Sequence, residues 1–166
     1  ADLADYFSFC LQPLVGRTEA EVTHLAEPFV ENVIEPLIYS EGMRCIAAHR
    51  AAGDRIVIAS ATPRFLVTAI AERLGIQDVI ATDLAEMHGY YTGQLSGIAC
   101  AREGKITRLQ QWCAEQACSL DGAHFYSDSY NDLPLLAHVP HAHAVNPDER
   151  LRAHAEQQGW TIHSWR

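Results

Sequence analysis

From residue 40 onward, short apolar segments alternate with segments of helical periodicity. The clearest apolar segments lie at residues 55–60, 78–82 and 124–127. Such segments are typical of strands buried on both faces of a parallel sheet. Because parallel strands need crossover connections, the alternation predicts an α/β fold with a doubly wound parallel sheet. In such a sheet, ligands bind at the carboxyl ends of the strands.

The remaining elements follow from periodicity and from helix start and stop signals. We expect helices near 40–52, 63–74, 105–117, 133–137 and 148–158, strands near 142–145 and 161–164, and a β-hairpin over 87–97. Residues 2–38 differ, because they predict two helices with no strand between them. Gly16 ends the first helix, and Thr18 with Glu21 forms a capping box that opens the second. Pro28 should kink this second helix or end it early.

Charge and cysteine content exclude several classes of protein. The 166 residues have a formal net charge of -9, which argues against a nucleic-acid partner. The five cysteines contain no CxxC pair, so we expect no disulfide framework, and a reducing cytoplasm fits best. No apolar run reaches the length of a membrane span, and the first residues do not resemble a signal peptide. The expected location is therefore cytoplasmic, without a membrane partner.

The richest polar cluster covers residues 126–134, directly after a predicted strand. Asp128 and Asp132 are four residues apart, with Asn131 between them. Oxygen ligands at the carboxyl end of a parallel strand suit Mg²⁺. An equally weighted alternative is that Asp128 or Asn131 caps the next helix.

A second polar cluster, Ser60-Ala61-Thr62-Pro63, follows the first apolar strand. The Ser60 hydroxyl and the N–H groups at the start of the next helix could bind a phosphate. Taken alone, the cluster is better explained as a helix N-cap.

The segment Arg102-Glu103-Gly104-Lys105 is not a nucleotide-binding P-loop. Ala99 stands where that motif needs glycine, and Ile106 stands where it needs Ser or Thr. A lysine at a helix start opposes the helix dipole, and a bound phosphate would explain Lys105. The alternative is a solvated surface lysine.

Three histidines, His138, His141 and His143, are close together in the sequence. Their spacing matches no helical pair of metal ligands, so metal binding there is a minor hypothesis.

In this order and on these elements, Ser60, Lys105 and residues 127–132 resemble three of the four motifs of the haloacid-dehalogenase-like (HAD) phosphohydrolase superfamily, in its phosphoserine-phosphatase-like subfamily. Supporting phrases are Tyr91-Thr92-Gly93, Glu103-Gly104-Lys105 and Val145-Asn146-Pro147. The resemblance implies a partial helical cap over residues 1–38 and a HAD-like Rossmannoid core over residues 39–166.

The first motif of the family, DxDx[TV], is absent from the sequence. Asp2 and Asp5 do not match it, because they are three residues apart and lead into a helix. In the family this motif holds the nucleophile and ends the central first strand. We therefore expect that an N-terminal segment has been cleaved or omitted, and that the 166 residues alone are inactive. A chain that natively lacks the segment is the other interpretation.

For the complete protein, the resemblance implies Mg²⁺-dependent hydrolysis of a phosphomonoester through an aspartyl-phosphate. Asp128 would bind the metal, and Asn131 and Asp132 would orient Asp128 or a bound water. Ser60 and Ala61 would hold the phosphoryl group, and Lys105 would offset its charge. The implied catalytic residues are thus Ser60, Lys105, Asp128 and Asp132.

These assignments require Ser60, Lys105 and Asp128 to meet at one pocket. The implied partner is a small phosphorylated metabolite such as phosphoserine or histidinol phosphate, and the sequence does not indicate the oligomeric state. Two other classes stay open. One is an inactive HAD-fold protein that serves as a binding or scaffold module, and the other is a non-hydrolytic doubly wound domain of the nucleotide-binding or receiver type.

Overall fold

The computed structural model describes residue 7 and residues 9–166. Residue 7 and residues 9–11 are helical, a 3₁₀ helix, Gln12–Leu14, follows, and Gly16 has a positive φ of 76°; residues 1–6 and 8 of the predicted first helix lie outside the described residues. The chain divides into two compact units. One contains the described residues up to Ile38 together with His49–Cys100, and the other contains Tyr39–Ala48 together with Ala101–Arg166.

The first unit begins with the capping box that the sequence predicts. Helix α1 spans Glu19–Phe29, and the Thr18 hydroxyl accepts a hydrogen bond from the Glu21 N–H while the Glu21 carboxylate accepts one from the Thr18 N–H. Pro28 lies inside the helix, which ends one residue later and continues as a π-helical turn, Val30–Ile34. The sequence predicts that Pro28 kinks this helix or ends it early; the α-helical hydrogen bonding ends at Phe29, but the chain stays helical to Ile34.

A parallel β-α-β unit follows, with strand β1 at Val57–Pro63, helix α3 at Arg64–Leu74 and strand β2 at Asp78–Thr82. The ladder between the strands is regular from Val57 to Ala59 and shifts before Pro63 pairs with Thr82. Helix α3 packs on both strands and ends at Gly75, whose positive φ of 65° forms the predicted left-handed cap.

The predicted hairpin consists of strands β3, Leu84–Met87, and β4, Tyr90–Leu95. Its two-residue turn, His88 and Gly89, has positive φ at both positions, which matches the twist of a tight hairpin. Tyr91 on β4 pairs through its backbone with Gly16 and Arg17, and its side chain is buried. The hairpin thereby holds the segment that precedes α1.

Helix α2 spans Ser40–Ala51, and its first turn binds the end of the chain within the second unit. The Arg166 N–H donates to the Glu41 carboxylate, and the Ser40 N–H donates to the Arg166 carbonyl. The first of these bonds holds the pKa of Glu41 below its usual range, because it favours the carboxylate form. The Trp165 ring also lies next to Gly42, 3.4 Å from where a Cβ would stand.

The second unit is built on three parallel strands, β5 at His124–Ser127, β6 at His141–Val145 and β7 at Thr161–His163. Helix α4, Glu103–Glu115, precedes β5, helix α5, Leu133–Leu136, lies between β5 and β6, and helix α6, Glu149–Gln158, lies between β6 and β7. Successive side chains on a strand point to opposite faces. One face of the sheet therefore carries Ala142 and Ala144, which pack against Leu136, Leu151 and Ala155.

The predicted α/β class is confirmed, and the predicted element bounds shift by a few residues. Strand β1 continues past Ser60 to Pro63, the helix after it begins at Arg64, and α4 covers 103–115 in place of 105–117. All five cysteines are thiols, as their spacing predicts. No helix in the described part of the chain has the length and apolar character to cross a membrane.

Tyr91 should ionise later than an ordinary tyrosine. Its burial raises the pKa of the phenol to about 12, and the nearby Glu19 and Glu86 carboxylates act in the same direction. Because the folded pKa is raised, its contribution to stability is fully present below about pH 10 and is lost as the pH rises towards 12. In an absorbance titration of the six tyrosines, a late-ionising step should disappear in Tyr91→Phe. A single step near pH 10 in both proteins would contradict this assignment.

Candidate functional site

The polar cluster after β5 is a tight loop that leads into a short 3₁₀ helix, Tyr130–Asp132. Ser129 is the N-cap of this helix, and its hydroxyl accepts from the Asn131 N–H. Asp128 and Asn131 cap no helix, so the capping interpretation of these two residues is wrong. Both side chains are exposed at the carboxyl end of the strand. The loop therefore leaves the Asp128 carboxylate available to a ligand.

Lys105 is buried and not solvated. Only 5% of its surface is accessible, and its Nζ lies 2.5 Å from Oδ1 of Asp132. The ammonium also lies 5.8 Å from the centroid of the Phe125 ring. The surface-lysine alternative is therefore wrong, because a buried ammonium needs a charged partner and Asp132 supplies it.

Asp132 is fully engaged by its neighbours. Its second carboxylate oxygen accepts a hydrogen bond of 2.7 Å from the Ser127 hydroxyl, which in turn accepts from the Ser129 N–H. This role of Ser127 was not predicted from the sequence. Its position as the last residue of β5, five residues before Asp132, is the signal that could have indicated this contact.

The loop is also tied to the start of α6 through Asp148. The Asp148 N–H donates to the Asp128 carbonyl at 2.9 Å, and its carboxylate accepts from the Tyr130 N–H at 2.7 Å. The other carboxylate oxygen caps α6 by accepting from the Leu151 N–H. The bonds from Leu151 and Tyr130 lower the pKa of Asp148, because both donate to its charged form.

The chemistry of Asp128 fits a magnesium ion, but these residues do not complete a site. A carboxylate oxygen is a preferred Mg²⁺ ligand, and the Asp128 side chain is exposed. Asp132 is committed to Lys105 and Ser127. Within residues 7 and 9–166, no group of three or more His, Cys, Asp and Glu side chains is placed to hold a metal. Asp128 would thus be one ligand among others that come from elsewhere.

Ser60 lies in the first unit, where the β1 ladder becomes irregular. Its hydroxyl accepts from the Thr62 N–H at 3.2 Å, and Pro63 is the N-cap of α3. Ser60 is therefore not the helix cap. Ala61 is partly buried beside it. That Ser60 and Ala61 meet Lys105 and Asp128 at one pocket stays a prediction.

An ion pair that the sequence did not indicate lies next to this segment. The Arg64 guanidinium donates two hydrogen bonds to the Asp83 carboxylate and a third to the Val79 carbonyl. The bond to Asp83 raises the pKa of Arg64, because it favours the charged form. The pair fixes the start of α3 against the end of β2.

The histidines form a row across the sheet of the second unit. Nδ1 of His124 lies 2.9 Å from Nε2 of His143, and Nδ1 of His143 lies 3.0 Å from Nε2 of His163. The Tyr126 ring stacks on His143, with centroids 4.2 Å apart. Two ring nitrogens at hydrogen-bonding distance pair with each other, one as donor and one as acceptor, and so do not bind one ion together. The minor hypothesis of a metal at His138, His141 and His143 thus has no support in the described residues.

The family of the chain follows from this geometry and from comparison with known proteins. The model of the haloacid dehalogenase-like hydrolase family matches residues 2–137. A histidinol-phosphatase of Neisseria meningitidis serogroup C (strain 8013) is 37% identical over 165 residues, which cover 97% of this chain and 74% of that protein. The chain belongs to the haloacid dehalogenase-like hydrolase family.

Other relatives agree with this family. A phosphoserine phosphatase of Mycobacterium tuberculosis (strain ATCC 25618 / H37Rv) is 34% identical over 151 residues, which cover 91% of this chain and 49% of that protein. The chain thus spans about three quarters of the Neisseria relative and about half of the Mycobacterium one.

Solved structures show the same fold. The crystal structure of a protein of unknown function from Bordetella pertussis Tohama I has a TM-score of 0.93 and 35% identity, covering 99% of this chain and 75% of that one. A probable phosphoserine phosphatase from Vibrio cholerae has a TM-score of 0.71 at 20% identity, covering 98% of this chain and 47% of that one. This second likeness supports the fold alone.

Removing the partner of Lys105 should destabilise the protein. Asp132→Ala leaves a buried ammonium without its carboxylate, which should lower the free energy of unfolding by about 3 kcal/mol. Combining Lys105→Met with Asp132→Asn should recover at least half of the loss, because no buried charge remains. Urea denaturation measures both effects.

The control is Asp121→Asn, since Asp121 is exposed and hydrogen-bonds to Ser119 in its own loop. It should change the free energy of unfolding by less than about 0.5 kcal/mol. If Asp132→Ala were as stable as this control, the ion pair would not stabilise the fold.

Proposed function

We propose that the whole protein is a Mg²⁺-dependent phosphomonoester hydrolase of the phosphoserine-phosphatase type. The observation that carries this proposal is the division of roles in the loop after β5. Asp132 neutralises the buried Lys105, while Asp128, four residues before Asp132 in the same loop, presents an exposed carboxylate. An exposed acidic oxygen in the loop that also neutralises a buried cation suits a metal next to a bound phosphate.

Asp128 is the residue of this chain that would hold the metal. When bound, Mg²⁺ would reduce the charge repulsion between an anionic nucleophile and the phosphoryl group. The hydrogen bonds of Asp148 to Asp128 and Tyr130 hold the backbone of this loop. Asn131 is exposed in the same loop and would orient a water molecule near Asp128. Asp132 would act indirectly, by holding the Lys105 ammonium in place.

Lys105 and Ser60 are the proposed phosphate ligands. A buried ammonium stabilises negative charge more strongly than a solvated one, because water screens it less. In transfer, Lys105 would offset charge on the phosphoryl oxygens. In the first unit, the Ser60 hydroxyl and the Ala61 N–H are proposed to donate hydrogen bonds to phosphoryl oxygens.

The nucleophile of this reaction would come from residues outside the 166 considered. The sequence contains no DxDx[TV] motif, whose first aspartate would attack phosphorus and form the aspartyl-phosphate. Its second aspartate would protonate the leaving oxygen. On this proposal the 166 residues alone are inactive, and residues 1–38 form part of a cap that selects the leaving group.

The proposed substrate is a small phosphorylated metabolite in the cytoplasm. Relatives named histidinol-phosphatase and phosphoserine phosphatase support two candidates, and both of these phosphomonoesters carry an amine. The absence of the nucleophile motif from the sequence favours one alternative, an inactive HAD-fold protein that serves as a binding module. The intact mass of the native protein and its N-terminal sequence would separate the two.

Replacing Asp128 should abolish catalysis in the whole protein. Asp128→Asn keeps the size of the side chain but removes the charge that would bind Mg²⁺, so hydrolysis of p-nitrophenyl phosphate should fall by at least a hundredfold. Initial rates at several Mg²⁺ concentrations provide the measurement. The matched control, Asp121→Asn, should keep the wild-type rate, because that carboxylate lies in a different exposed loop.

Full turnover by Asp128→Asn would contradict the proposed metal role of this residue. If instead the wild-type protein shows no Mg²⁺-dependent turnover, the hydrolase assignment itself is wrong and the result favours the binding-module alternative.

A further inference from the structure

We infer that Asp148 is a positioning residue that holds the Asp128 loop in its ligand-binding shape before any ion binds. The inference rests on the proposed function, since it concerns the same loop. Asp148 lies outside the three family motifs, twenty residues after Asp128, at the start of α6.

Three contacts connect α6 to this loop. The Asp148 carboxylate accepts from the Tyr130 N–H, and the Asp148 N–H donates to the Asp128 carbonyl. In addition, the Arg150 guanidinium carbon lies 4.0 Å from the centroid of the Tyr130 ring. The backbone is thus fixed on both sides of Ser129, which limits how far the Asp128 side chain can move.

The two carboxylate oxygens of Asp148 serve different elements. Oδ2 accepts from Tyr130 in the loop, whereas Oδ1 accepts from Leu151 and caps α6. A substitution can therefore separate the two functions. Asparagine is as good an N-cap as aspartate, but it has a single acceptor oxygen. Asp148→Asn should keep the helix cap and lose the loop contact, while Asp148→Ala should lose both.

Groups that orient metal ligands typically change metal affinity by about 10- to 100-fold when removed. Asp148→Asn should therefore raise the Mg²⁺ concentration for half-maximal activity about tenfold in the whole protein. Because Asp148 does not touch reacting atoms, excess Mg²⁺ should restore kcat to within about twofold.

A second readout needs neither activity nor metal. Hydrogen exchange of the Tyr130 amide in metal-free protein should become at least tenfold faster in Asp148→Asn, while the Leu151 amide stays protected. Asp148→Ala should accelerate both. Asp121→Asn serves as the control for loss of an acidic side chain and should leave both amides unchanged.

The outcomes separate this inference from the proposed function. Unchanged exchange at Tyr130 in Asp148→Asn would overturn the positioning role, as would faster exchange with an unchanged Mg²⁺ dependence. If the wild-type protein binds no Mg²⁺ in calorimetry, the proposed function fails, and the exchange rate of Tyr130 alone decides whether Asp148 holds the loop.

Discussion

The ion pair between Lys105 and Asp132 is the interaction on which the candidate site depends. A lysine with 5% of its surface accessible cannot stay charged at low cost without an anionic partner. The partner comes from the loop after β5, so the pair ties helix α4 to the carboxyl end of that strand. Ser127 satisfies the second oxygen of Asp132. Asp132 therefore cannot turn outward without leaving two groups unsatisfied.

The rest of the loop is ordered by short-range hydrogen bonds and one long-range support. Ser127 and Ser129 each accept from the N–H two residues later, which bends the backbone tightly. Asp148 then fixes the same backbone against α6. A loop held in this way needs little reorganisation when a ligand arrives, and preorganisation is what makes electrostatic stabilisation effective.

The sequence predicts those features whose cause is local or compositional. Thr18 with Glu21, and Gly75, are local signals of helix ends, and the structure confirms both. The strands follow from short apolar segments between helical ones, although β1 and β5 are only partly buried and β6 is buried mainly on one face. Contacts between distant residues are different. The partner of Lys105 lies 27 residues away, and no propensity or spacing indicates it. The Asp148 contacts and the histidine row likewise join residues that are distant in the sequence. The row also depends on the register between strands, so the sequence alone does not indicate it.

The distribution of charge in this loop also explains why two aspartates there need not repel a phosphate. Asp132 and Lys105 cancel, so the loop carries the net charge of Asp128 alone. On the proposed function, a divalent cation at Asp128 would then leave a net positive charge beside the buried ammonium. If Asp132 were exposed like Asp128, the two carboxylates together would neutralise the charge of the divalent cation and weaken its attraction for a phosphate dianion. On the proposed function, the pairing of the buried Lys105 with Asp132 would thus allow one acidic loop to serve an anionic substrate.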